Sequence, residues 1–187
     1  MPIIKKRDEV VRIYEEAAAK GWVIPCLCTE NLTTTEAIIS AASEFAKDKG
    51  LTSIPVTLAA TVCYEHRPQA VNYTHSRNWK TGLELFRQDA EVLMREGGDY
   101  ENVELMLHLD HVQHDLDEEL CESDLSGYSS IMYDASTLPL EENIAKTKAF
   151  VEKKGQEILV EGACDEIIDA GGEAHNDITT AEKCKDY

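Results

Sequence analysis

The chain has 187 residues, 43% of them hydrophobic, and a formal net charge of −18. That length suits one domain with a sizeable core, and the apolar share excludes a disordered chain. The acidic balance argues against a nucleic-acid or anionic-membrane surface, both of which need basic patches, and is compatible with a soluble enzyme or with cation binding.

No run approaches the roughly 20 apolar residues of a membrane-spanning helix. Residues 1–8 lead into a mixed-charge helical pattern without the apolar core of a signal peptide, so the expected compartment is the cytoplasm. Cys26, Cys28, Cys63, Cys121, Cys164 and Cys184 form no CxxC pair. Most sit in apolar segments, so they are expected to be reduced and mostly buried, and Cys26-Leu-Cys28 has no second ligand pair at a zinc spacing.

Residues 5–20 carry Val10, Val11, Tyr14, Ala17 and Ala18 at helical spacing and stop at Gly21. Residues 22–27 read as a short apolar strand, followed by a loop at 29–31. Thr33 or Thr34 is the expected N-cap of a helix to about residue 47, with Ile38, Ile39, Ala42 and Phe45 on one face and Gly50 beyond it. Residues 54–61 are nearly all apolar or β-branched, the pattern of a strand covered on both faces. The long polar loop 64–78 holds Glu65, His66, Arg67, His75 and Arg77, which read either as ligands or as a solvated excursion. Residues 79–95 form a helix with Leu83, Phe86, Ala90 and Leu93 inward, ended by Gly97-Gly98.

Residues 103–112 alternate Leu105, Leu107 and Leu109 with Glu104, Met106, His108 and Asp110, which is strand periodicity. His108 and Asp110 share a face, and His111 falls just beyond, where the chain is expected to turn. A short helix at 116–121 follows inside the acidic run 115–122, which reads as a solvent face. A strand at 128–133 ends at Asp134, a helix covers 138–154 up to Gly155, and a fifth strand covers 157–161. Gly171-Gly172 lies in a loop, and Asp177 and Thr179 are candidate caps for a helix from about residue 180.

One helix followed by five βα units predicts an α/β fold with a parallel sheet, either an open doubly wound sheet or a (β/α)8 barrel. No G-x-G-x-x-G follows the first strand, which disfavours a dinucleotide-binding fold. In parallel α/β folds chemistry gathers at the carboxyl ends of the strands. Asp110 with His111, then Asp134, then Glu161 stand at three successive ends. Such carboxylates repel one another unless a cation sits among them, and with an imidazole they suit zinc or a related divalent ion.

Four segments then become recognisable: His108-Leu-Asp-His111, Gly127-Tyr-Ser-Ser-Ile-Met-Tyr-Asp-Ala-Ser136, Leu138-Pro-Leu-Glu-Glu-Asn-Ile144 and Val160-Glu-Gly162. Together with Ile24-Pro-Cys26, Asn31-Leu-x-x-x-Glu-Ala-Ile38, Gly171-Gly172 and Asp177-Ile-Thr-Thr-Ala-Glu182, they resemble the class II, zinc-dependent fructose-bisphosphate and tagatose-bisphosphate aldolases over essentially the whole chain. The resemblance implies a partial (β/α)8 TIM barrel spanning 1–187, about five βα units with an N-terminal helix. It implies reversible aldol cleavage of a ketose (bis)phosphate to dihydroxyacetone phosphate and an aldehyde. It also implies Zn2+, a second divalent or monovalent cation in some members, a sugar phosphate substrate, and a homo-oligomer, a dimer in the full-length family. No nucleic-acid or membrane partner is expected.

Carried over by resemblance, Asp110 is the catalytic acid/base, His111 a zinc ligand, Asp134 a ligand of the second metal position, and Glu161 a strand-five metal ligand. Ala163 stands where a metal-binding glutamate is expected, with Asp165 or Glu166 as its replacement, and Cys28 stands where many members carry asparagine. A whole barrel needs about 250 residues. None of His66, His75, His114 or His175 lies in a segment resembling the late strands that carry two further zinc histidines. The chain is therefore expected to be inactive or weakly active alone. Two other readings stay open: a non-catalytic barrel remnant acting through oligomerisation or partner binding, and a different barrel metalloenzyme in which His108 rather than His111 binds metal.

Overall fold

A computed structural model describes residues 3–165 and 179–187. Its elements are α1 (Arg7–Lys20), β1 (Cys26–Cys28), α2 (Leu32–Lys49), β2 (Ile54–Thr61), α3 (Gln69–Asn72), α4 (Trp79–Leu93), β3 (Val103–Gln113), α5 (Glu118–Glu122), β4 (Ser130–Asp134), α6 (Leu140–Lys154), β5 (Leu159–Gly162) and α7 (Ala181–Asp186). The five strands form one parallel sheet in sequential order, β1 to β5. Helical connections run between successive strands, which is the half-wound form of a βα barrel.

Strand parity sorts the side chains into two layers. Leu58, Leu105, Leu107, Leu109 and Ile131 face the helices and are fully buried with Ile39, Leu83, Phe86 and Phe150. Tyr133 stacks on Phe150 with ring centroids 4.3 Å apart. The other face is thinner in apolar contact. There Met106 packs with Val10 and Ile13 of α1 and with Ile24 and Leu159, so α1 lies across the inner face near its amino end.

Local chemistry explains most boundaries. Asn31, not Thr33 or Thr34, caps α2, its Oδ1 accepting from the Thr34 amide at 2.9 Å. Gly21 and Gly50 end α1 and α2 with left-handed φ of 65°. The polar loop after β2 contains a short helix, α3, that alternation does not reveal, and Gly82 of α4 packs directly on it. Thr180 caps α7. Gly171, Gly172, His175, Asp177 and Glu166 lie outside the described residues. The expectation of mostly buried thiols is corrected: of the six free cysteines only Cys121 is buried, while Cys26 and Cys184 are exposed.

Candidate active site

The site is built on an irregularity in β3. The register against β4 shifts between Leu109 and Val112, and His111 has φ 46°. A non-glycine residue in that region is uncommon and marks a bulge or strain held by its surroundings. The chain does not turn after Asp110, as alternation predicted. It inserts His111 as an extra residue and continues as strand to Gln113, with Val112 back in the helix-facing core. Without the bulge His111 would point into the apolar helix layer.

Around that bulge the residues form two linked pairs. His111 Nδ1 lies 2.7 Å from Asp134 Oδ2. Asp134 also accepts from the Ser136 amide at 2.9 Å and the Ser136 hydroxyl at 2.6 Å. With Asp134 ionised and the ring neutral, Nδ1 carries the proton and Nε2 keeps its lone pair. The hydrogen bond to Asp134 pushes the His111 pKa up, against burial. For Asp134 burial alone would raise the carboxyl, but the combined hydrogen bonds from His111 and Ser136 hold it below its ordinary value.

The second pair centres on His108, which is 4% exposed. His108 Nδ1 is 2.8 Å from Ser130 Oγ, and His108 Nε2 is 3.8 Å from Asp110 Oδ1 and 4.0 Å from Glu161 Oε2. Burial lowers the His108 pKa, only partly countered by Asp110. Asp110 Oδ2 accepts from the Cys28 thiol at 3.6 Å, and burial followed by the Asp110 charge pushes that thiol up to about 11. Glu161 projects from β5 with 59% of its side chain exposed, and burial of its inner part and the Asp110 charge raise its carboxyl.

Asp110, His111, Asp134 and Glu161 therefore share one rim, with Asp134 standing behind the His111 imidazole and Glu161 near His108. Asp165 is turned away to Lys183, 2.9 Å from its Nζ. Ala163 is nearly buried, and its carbonyl accepts from Asn143. Arg67, His75 and Arg77 of the polar loop are exposed.

Two residues of the site were not legible as such. Tyr64 stacks on His111, centroids 4.7 Å apart and rings 15° from parallel. Asp117 belongs to the acidic run that reads as a solvent face, yet it is 3% exposed and accepts from the Cys63 amide at 3.2 Å and the Gln113 amide at 2.9 Å. Its carboxylate thus ties the ends of β2 and β3 together. The only sequence signal for it is its place between Leu116 and Leu120, too weak to separate it from its acidic neighbours.

The family model described as fructose-bisphosphate aldolase class-II matches residues 8–187. The chain belongs to the class II fructose-bisphosphate aldolase family. Among its aldolase relatives, the fructose-bisphosphate aldolase of Treponema pallidum (strain Nichols) is 29% identical over 154 residues, which is 80% of this chain and 40% of that protein. The fold is similar to that of the crystal structure of a fructose-bisphosphate aldolase from Campylobacter jejuni, with a TM-score of 0.61, 22% identity, and coverage of 86% of this chain and 47% of that one. It is also similar to the YdjI aldolase from Escherichia coli K12, with a TM-score of 0.58, 21% identity, and coverage of 87% and 51%. The chain thus spans 40% of the curated aldolase it matches and about half of each solved aldolase. A five-stranded parallel sheet with outer helices is the corresponding part of a barrel.

Class II aldolases are in general metal-dependent, so the fit of the rim to a metal is a question of donors. The Asp134–His111 arrangement leaves an imidazole Nε2 backed by a carboxylate, which is how metal-binding histidines are commonly oriented. Yet among the described residues no group of three His, Cys, Asp or Glu side chains converges to hold a metal ion. The described residues fit part of a ligand set and not a whole one.

Proposed function

We propose that this chain carries the proton-transfer side of a class II aldolase site, for reversible cleavage of a ketose (bis)phosphate to dihydroxyacetone phosphate and an aldehyde. The observation that supports it best is the Asp110–His111 pair on the β3 bulge, in a member of this family.

Asp110 acts as the acid/base. Its side chain is 20% exposed, so it is within reach of a substrate hydroxyl yet steadied by the Cys28 thiol. In cleavage its carboxylate takes the proton of the hydroxyl on the aldehyde-side carbon. That C–O becomes C=O, the adjacent C–C bond breaks, and its electron pair stays on the ketone fragment as an enediolate. Condensation runs the same steps in reverse, with Asp110 returning the proton. His108 stands beside Asp110, its Nε2 3.8 Å from the carboxylate, and burial lowers its pKa.

His111 is proposed as a zinc ligand through Nε2, with Asp134 and Glu161 as the acidic groups around it. Zinc in such a site supplies Lewis-acid polarisation of a carbonyl oxygen. Because the described residues make only part of a ligand set, we propose that the chain alone has little or no aldolase activity. A sugar phosphate as substrate, a homo-oligomeric state, a cytoplasmic setting and no nucleic-acid or membrane partner belong to the same reading. The formal charge of −18 supports the absence of a polyanionic partner.

Zinc titration by calorimetry tests this. Binding that is lost in His111→Ala and retained in His108→Ala supports it. The reverse pattern favours a different barrel metalloenzyme. Ordinary cleavage of fructose 1,6-bisphosphate by the purified zinc-treated chain would overturn the proposed inactivity.

A further inference from the structure

The imidazole of His111 is held from three directions. The bulge fixes its backbone at φ 46°. Asp134 fixes its edge at 2.7 Å. The third contact is Tyr64, whose ring covers its face at 4.7 Å and 15°. We propose that Tyr64 is a positioning residue that keeps the His111 imidazole in one orientation, an inference that rests on the proposed role of His111.

Tyr64 sits in a polar loop, half-buried, and is no member of either apolar core. Its position is nonetheless specified. The Cys63 amide just before it donates to Asp117 at 3.2 Å, and the Tyr64 carbonyl accepts from the Arg67 amide at 3.1 Å. Further on, the Thr61 hydroxyl donates to the Arg67 carbonyl, the Gln69 amide returns to that hydroxyl at 3.1 Å, and the Thr61 amide donates to Gln69 Oε1 at 3.0 Å. The loop is thereby folded back on the end of β2.

Asp117 is the common frame. The same buried carboxylate accepts from Cys63, one residue before Tyr64, and from Gln113, two residues after His111. The two stacked rings are thus mounted on backbones tied to one group. Asp134 constrains the imidazole only in its own plane, at Nδ1. A stacked ring resists rotation out of that plane. His66 meets the Tyr64 ring edge-on at 5.3 Å and closes the outer side.

The test is nuclear magnetic resonance on the metal-free chain, with Tyr64→Phe and Tyr64→Leu. In wild type and Tyr64→Phe the His111 ring protons are expected upfield of their free positions, with a slowly exchanging Nδ1–H. In Tyr64→Leu, with its amide fingerprint otherwise intact, that proton is expected to exchange about two- to tenfold faster, the range that the stacking of one aromatic pair spans. Unchanged exchange in Tyr64→Leu overturns the proposal, and so does a wild-type His111 ring without upfield shifts, a measurement that stands whether or not the leucine variant folds. A chain that binds zinc through His111 without stacking sinks only this proposal. A chain that stacks but ignores zinc upholds it and sinks the zinc assignment.

Discussion

Replacing Asp134 by asparagine perturbs the rim at its most constrained point. The carboxylate is 4% exposed and its His111 partner 11%, so both partners are largely removed from solvent. The change keeps the volume and removes the charge that accepts from His111 and from Ser136 twice. A histidine whose pKa is raised on folding adds stability that is complete below its ordinary 6.5 and disappears as pH climbs through the folded value. A carboxyl whose pKa is lowered adds stability that is present above its ordinary 3.8 and disappears as pH falls through the folded value. The pair therefore contributes most between 3.8 and 6.5. Breaking one partner of a buried ion pair costs about 3–5 kcal/mol, but His111 can shed its proton, so about 2–4 kcal/mol is expected near pH 6. Near pH 9 the imidazole is neutral and the loss shrinks to about 1–2 kcal/mol. At about 2–4 °C per kcal/mol for a chain this size, the midpoint falls by roughly 5–15 °C near pH 6. Urea unfolding and thermal melts of the metal-free protein at both pH values measure this. An equal loss at the two, or less than about 1 kcal/mol near pH 6, would refute the charged pair.

Asp117→Ala strands two backbone donors and is expected to cost about 2–4 kcal/mol, with faster hydrogen exchange concentrated at the Cys63 and Gln113 amides. Burial raises the Asp117 pKa, so wild type loses part of this advantage as pH rises from 3.8 through the folded value, and the penalty of the variant should shrink in the same direction. Gly82→Ala would place a Cβ 1.9 Å from the Ala70 carbonyl oxygen and 2.8 Å from its carbon. Backbone on backbone cannot yield cheaply, so a loss of about 3 kcal/mol or more is expected in denaturant melts, and a near-wild-type midpoint would show that α3 moves freely. Cys28, with its thiol at about 11, should alkylate far more slowly at neutral pH than exposed Cys184. Peptide mapping that finds Cys28 modified first would contradict its burial against Asp110.

Much of this protein is written locally. Each apolar strand and each helical stripe reflects a period of 2 or 3.6 in the sequence, so the alternation of elements and the parallel sheet were legible, as were the short motifs that mark the family. Asp110, His111, Asp134 and Glu161 could be named because strand ends are readable from where apolar runs stop. Their partners were not. Alternation ended β3 before its bulge, because an inserted residue with left-handed φ leaves no mark in a hydrophobic pattern. Nor does composition tell buried Asp117 from the exposed acids on either side of it. Burial, hydrogen-bond partners and ring stacking depend on chain segments far apart in sequence, and only the packed structure brings those together. The sequence by itself determined the alternation of strands and helices and which residues stand at the strand ends. The tertiary structure decided which carboxylate stands behind which histidine, and that Tyr64 and Asp117 belong with them.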